Sequence, residues 1–123
     1  MMKKLFIPFV LLVVLVSFSN QAEAQVFGTK LKITVIDPLG NRVKDAKVMI
    51  FKNESDYRAE TNPVQKFKLT DQKGNVTFKK LEAIPYYVIV RKGEFDNSGG
   101  GEIISKLEPR KVNKVNIVIS DGL

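Results

Sequence analysis

The sequence predicts an all-β fold, a seven-stranded Greek-key β-sandwich, on three observations. Seven short segments of strand character fall within about 90 residues, separated by turn signals at short intervals. No stretch between them carries a sustained amphipathic helical period. Residues 70–90, TDQKGNVTFKKLEAIPYYVIV, place a turn, an alternating strand and a strongly β-prone apolar strand in immediate succession. A small barrel is the alternative closure of the same strands.

The first 24 residues stand apart from that fold. Lys3 and Lys4 precede an apolar run over 5–18, interrupted only by Pro8 and Ser17. Polar Ser19, Asn20 and Gln21 follow, then the small-x-small triplet Ala22-Glu23-Ala24. Basic, apolar and cleavage regions in that order make a signal peptide over 1–24 and a mature domain over 25–123. The apolar run falls short of the roughly 20 residues that span a bilayer, so no membrane span is expected after cleavage. A retained anchor is the alternative. The chain has no Cys, so a bacterial lipid anchor lacks its acceptor thiol. The expected location is periplasmic or extracellular.

Each strand has its own justification. Residues 31–37 (LKITVID) alternate Leu31, Ile33 and Val35 against Lys32 and Thr34, the period of a half-buried strand. Asp37-Pro38-Leu39-Gly40-Asn41 is a turn, with Asp to accept local N–H groups and Gly to allow positive φ. Residues 47–52 hold a continuous apolar run, Val48 to Phe51, which suits a strand covered on both faces. The polar insert 53–63 reads mainly as a loop, with a short helical turn near 55–59. A third strand is expected over 64–69. Asp71 and Gly74 then turn the chain into a fourth over 76–80. Residues 86–91 (YYVIVR) form the fifth, with Tyr87 expected in the core and Tyr86 at the surface. The second insert, 92–101, ends in three glycines with high ordering cost. Weaker strand character over 102–107 and alternation over 112–120 complete the seven.

Composition removes most chemistries. The chain has 123 residues, no His and no Cys. That excludes a Ser-His-Asp triad, a thiol nucleophile and Cys/His zinc sites. Gly99 to Gly101 are not followed by the Lys-Ser/Thr and helix of a phosphate cradle. A two-carboxylate hydrolase drawing on Glu94, Asp96 or Glu102 remains formally open, but about 99 mature residues leave little room for a substrate cleft. The net charge is +7; without Lys3, Lys4 and Glu23 the mature chain has 18 basic and 12 acidic residues, or +6. The lysines are scattered through every strand, so the excess reads as solubility rather than a nucleic-acid face.

Two sets of side chains are candidates for binding. Glu94, Asp96, Asn97 and Glu102, with Ser98, surround the triple glycine and offer oxygen ligands to a hard cation such as calcium. They lack the Asp-x-Asp spacing of an EF-hand loop. Tyr57 and Arg58 in the first insert and Phe95 in the second are candidate contact residues for a protein or a glycan. There is no Trp to build a broad sugar platform.

With these residues in view, the chain resembles the carboxypeptidase regulatory-like domains of the transthyretin-like (prealbumin-like) sandwich group. Asp37, Gly40, Val43, Ala46 and Val48 match a D-x-x-G-x-x-V-x-x-A-x-V pattern. Thr70, Asp71, Gly74, Val76, Phe78 and Leu81, then Tyr87, match T-D-x-x-G-x-φ-x-F-x-x-L and a Tyr-led strand. The resemblance covers about residues 31–91, with a plausible last strand at 112–120, and implies an accessory module with no catalytic residues of its own. Collagen-adhesin B-type domains share the sandwich and often carry a Lys–Asn isopeptide. Lys32 and Asn116 could be cast as that pair, but the accompanying Glu would fall near Arg91, so an isopeptide is not expected.

The resulting expectation is a non-catalytic exported module for binding or protein–protein interaction at the cell envelope. The alternative is a structural or envelope-assembly subunit, with a carbohydrate- or calcium-binding module behind both. No cofactor other than calcium has any candidate ligands. Partner identity and oligomeric state are open.

Overall fold

The computed structural model describes residues 28–98 and 101–122. The signal peptide expected over 1–24, and Gly99 and Gly100 of the glycine run, lie outside the described residues. Eight strands and one helix follow in the order β1 (Thr29–Ile36), β2 (Lys47–Phe51), α1 (Glu54–Ala59), β3 (Lys68–Leu69), β4 (Asn75–Leu81), β5 (Tyr86–Lys92), β6 (Phe95–Asp96), β7 (Ile103–Ile104) and β8 (Val112–Val118). They form two sheets: β4-β1-β8, and β3-β2-β5-β6 with β7 also on β5. The sandwich is all-β, as the alternation predicts. No helix among the described residues is long and apolar enough to cross a membrane.

The core lies between the sheets. Leu31, Ile33 and Val35 of β1 meet Phe78 of β4 and Ile117 of β8, and across the interior face Val48, Ile50, Val88 and Val90. β1 is the central strand of its sheet, antiparallel to β4 and parallel to β8, with Lys30 beside Val112 and Ile36 beside Val118. Lys80, at φ 56°, sits where the β1–β4 register slips, the extra residue of a bulge.

The two Asp-x-x-Gly-Asn turns share one design. Asp37 Oδ1 accepts from the backbone N–H of Leu39 and Asn41 at 3.0 and 2.8 Å, and Asp71 Oδ1 accepts from Lys73 and Asn75 at 2.9 Å each. Those bonds hold both carboxyls below the ordinary Asp range. Thr70 ties the second turn to the chain before β2: its hydroxyl accepts from Ala46 N–H at 2.8 Å and donates to Val43 O at 2.6 Å. Gly74 lies against β1, its own carbonyl accepting from Val35 N–H at 2.8 Å.

Five expectations need correction. The described residues hold eight strands rather than seven, because Phe95 and Asp96 of the second insert pair with Lys92 and Arg91 of β5 as β6. Residues 64–69 contribute only the two-residue β3, because Val64 N–H bonds to Ile50 O while the Gln65 amide donates to Lys79 O in the opposite sheet, so the segment crosses the sandwich rim. Residues 102–107 contribute only β7, because the chain leaves the sheet to bury Leu107. The first insert forms α1, a six-residue helix, rather than a loop. The tyrosines are reversed: Tyr86 is fully buried between the sheets, and Tyr87 is half-buried on the outer face. Register is the reason for the last. Tyr87 pairs with Phe51 and Ile89 with Met49, all on the outer face, so Tyr86, Val88 and Val90 point inward.

Candidate functional site

The two inserts meet on the outer face of the five-stranded sheet. Asn53 caps α1, its side-chain oxygen accepting from Asp56 N–H at 2.8 Å. Glu54 and Asp56 suit the first turn of the helix and Arg58 the last. The chain leaves the helix through Glu60 in the left-handed region, φ 55°. What seats so short a helix is packing. Tyr57 stacks on Tyr87 with ring centroids 5.2 Å apart and meets Phe51 edge-on at 6.2 Å. Met49 and Ile89 complete this small apolar cluster. Burial, then the Glu102 carboxylate beside it, pushes the Tyr57 phenol above its ordinary pKa.

Beside that cluster is a polar cleft of about 280 Å³. Tyr57, Arg58 and Glu60 line it from the first insert; Asp96, Asn97 and Ser98 line it from the second, with Ile89 and Arg91 of β5 as its floor. Its charges are already matched. Arg91 clasps Glu60 through two bonds of 2.6 Å, which lowers the Glu60 pKa. Arg58 reaches Glu54 through Nε at 3.0 Å. Asp96 Oδ1 accepts from the Ser98 N–H at 3.0 Å and from its hydroxyl, and both bonds lower the Asp96 pKa. A carboxylate so stabilised is a poor base for activating that hydroxyl.

Of the candidate contact residues, Tyr57 and Arg58 line the cleft, while Phe95, about one-third exposed, lies on β6 outside it. The cation candidates are divided. Glu94 is exposed at the hairpin turn, Glu102 sits by Tyr57, and Asp96 and Asn97 line the cleft. The Asn97 amide is committed elsewhere. It is 4% exposed; its oxygen accepts from Val90 N–H at 3.0 Å, and its nitrogen donates to Val88 O at 3.0 Å and Gly101 O at 3.1 Å. Asn97 thereby stands in for a strand residue on the β5 edge between β6 and β7. Among the described residues no group of three or more acidic side chains is placed to hold a metal ion. Lys32 and Asn116 both project from the outer face of the three-stranded sheet, where Lys32 lies opposite Lys114 and Asn116 opposite Thr34. Sequence reasoning misses Glu60 and Arg91, which are 31 residues apart and have no local pattern linking them.

No protein-family model matches the chain, and no curated protein does. Solved structures do. The Bacillus anthracis TIE protein aligns with a TM-score of 0.54 at 18% identity, over 76% of this chain and 17% of its own. A streptococcal ancillary pilin aligns with a TM-score of 0.54 at 13% identity, over 77% of this chain and 33% of its own. BcpA, the major pilin subunit of Bacillus cereus, aligns with a TM-score of 0.50 at 15% identity, over 78% of this chain and 31% of its own. The chain thus spans a third or less of the length of each of these three, and at such identities what it shares with them is the fold, an all-β sandwich.

Proposed function

We propose that the chain is an exported, non-catalytic sandwich module that serves as a structural building block of a cell-surface assembly. The observation that carries this reading is the open edge of β8, a seven-residue strand paired with β1 on one side and with no strand on the other among the described residues. A long free edge is a template for strand addition by another chain. The likeness in fold to domain-sized parts of two pilins supports the same reading, as do the signal peptide expected over 1–24 and the resemblance to carboxypeptidase regulatory-like accessory modules. The cleft supports the absence of catalysis: Glu60 is clasped by Arg91, Arg58 is held by Glu54 outside the cleft, and its serine faces a weak base. The test is site-specific photo-cross-linking from Asn116 on intact cells, with mass spectrometry of the adducts. Adducts to envelope proteins, this chain included, support the reading; a chain that stays in the cytoplasm, or yields no envelope adduct, overturns it.

A second reading rests on the cleft. Tyr57, Arg58, Asp96 and Ser98 present mixed polar groups from two inserts, the kind of surface that recognises a glycan or a polar peptide. Thermal-shift screening against glycans and calcium tests it, with Arg58→Ala as the control that abolishes any shift. A flat response to every ligand overturns it.

A further inference from the structure

The β8 edge is specific about what it can pair with. Lys30 N–H donates to Lys111 O, and Ile119 N–H donates to Ile36 O, so odd-numbered residues of this strand turn their backbone groups towards β1. The even-numbered residues Val112, Lys114, Asn116 and Val118 therefore turn theirs outward. Ser120 confirms the phase. Its N–H donates to Asp96 O at 2.9 Å and its carbonyl accepts from Asp96 N–H at 3.0 Å, on the side away from β1. The free edge thus ends just beyond Val118, and the strand it offers, Val112–Val118, is centred on Val115. The even-numbered side chains also face outward from the sandwich, and two of them are apolar and exposed: Val112 at 48% and Val118 at 41%.

We propose that β8 pairs antiparallel with β8 of a second copy of this chain, about a twofold axis at Val115, joining two three-stranded sheets into one of six strands. The proposal rests on the assembly reading above. In this register all seven residues pair. Val112 lies opposite the second copy's Val118, and Lys114 opposite its Asn116, each combination occurring twice by symmetry. Outward backbone groups meet outward groups, so the four even-numbered positions form the hydrogen-bonded pairs and Val115 meets its own copy in a non-hydrogen-bonded pair. The neighbouring registers are closed. One step of two residues in one direction sets Lys114 against Lys114. One step in the other drives the second copy's Val112 onto Ser120, whose outward groups already hold Asp96. A cleft of about 310 Å³ lies beside the first half of β8, with Ile104, Leu107 and Val115 in its lining, and leaves room for side chains of an added strand.

The test uses the full chain, purified after export, and exploits the absence of native cysteine. Val115→Cys places two sulfurs on the axis, with Cα atoms about 4.5 Å apart, within disulfide reach. It is expected to form a covalent dimer on mild oxidation, and Lys114→Cys and Asn116→Cys are expected not to. Sedimentation equilibrium up to about 1 mM reads the association of a contact this small. Asn116→Lys sets lysine against Lys114 twice and is expected to weaken the dimer by roughly tenfold. Adding Lys114→Glu restores it. Both positions are exposed, and both variants are expected to keep the parent's circular dichroism. A monomer throughout that range, preferential cross-linking at 114 or 116, or an Asn116→Lys dimer as tight as the parent overturns the pairing. The assembly reading survives those results if surface cross-linking finds a different envelope partner, and falls only if it finds none.

Discussion

The phenol of Tyr86 closes a ring with the backbone of Glu82, four residues upstream: it accepts from Glu82 N–H and donates to Glu82 O, each at 3.0 Å. One side chain rooted in the core thus bonds both backbone groups of Glu82, where the chain leaves β4 for β5. Tyr86→Phe keeps the packing and orphans the Glu82 N–H, while Glu82 O keeps its 2.9 Å bond from Ile84 N–H. A loss of about 1–2 kcal/mol is expected in chemical denaturation. Tyr87→Phe, on the outer face, is expected to change stability by less than about 0.5 kcal/mol. Equal losses from the two would contradict the inward placement of Tyr86.

Two glycines separate conformational strain from steric strain. Gly40 and Gly74 occupy equivalent positions in the two Asp-x-x-Gly-Asn turns, at φ 88° and 76°. A Cβ at Gly40 meets open space, whereas one at Gly74 falls 2.8 Å from Val35 O and 3.2 Å from Val43 N, both backbone. Gly40→Ala is expected to cost about 1 kcal/mol, the ordinary penalty for the left-handed region, and Gly74→Ala at least about 2 kcal/mol more, because β1 must move. Urea unfolding of the two variants side by side decides it.

Asn97 offers a test between structural and ion-binding roles for the second insert. Removing its amide frees Val90 N–H and Val88 O on a buried strand edge. Asn97→Ala is expected to destabilise by about 2–3 kcal/mol, and by the same amount with or without millimolar calcium. Amide hydrogen exchange should quicken at Val90 ahead of the rest of β5. A calcium-dependent difference between the variant and the parent would restore Asn97 as a ligand.

Acid should unfold the domain in a defined window. Asp37, Asp71, Asp96 and Glu60 all have folded-state pKa values below their ordinary ones, the first three through hydrogen bonds from nearby backbone or hydroxyl groups and Glu60 through Arg91. A depressed carboxylate binds its proton more readily in the unfolded chain, so its contribution is complete above the ordinary pKa and is lost as pH falls through the folded one. The thermal midpoint is expected to be flat above about pH 5 and to fall steadily below about pH 4. Glu60→Gln should shallow that slope only slightly, since Glu60 and Arg91 are both more than a third exposed. A midpoint that rises on acidification would reverse the sign for these groups.

The five longer strands are legible in the sequence because each buries side chains at period two or is uniformly apolar, as Ile33, Val35, Val76, Phe78 and Ile117 show. The turns are legible because Asp and Gly act locally. What escapes is what depends on distant partners. The run YYVIV is apolar on both faces and carries no internal phase; the phase resides in Arg91, which must point outward and takes Ile89 and Tyr87 with it. The helix α1 is too short for periodicity to show, and its seat is built by Phe51 and Tyr87 from two other strands. The cleft is legible only in halves. Tyr57 and Arg58 come from one insert and Asp96 and Asn97 from the other, and the Glu60–Arg91 clasp that joins the helix to β5 is a product of the fold.

The parallel pairing of β1 with β8 also sets how the domain bears tension. The chain enters β1 beside Val112 and leaves β8 beside Ile36, at opposite ends of a seven-pair register that runs roughly 20 Å. A pull on the two flanks drags these strands past each other lengthwise. Every rung from Lys30–Val112 to Ile36–Val118 is then loaded together in shear, and the first and last strands cannot be peeled apart one bond at a time. Force spectroscopy through the two flanks should therefore meet a high, single rupture, whereas a pull that separates β2 from β5 at one end should unzip at far lower force.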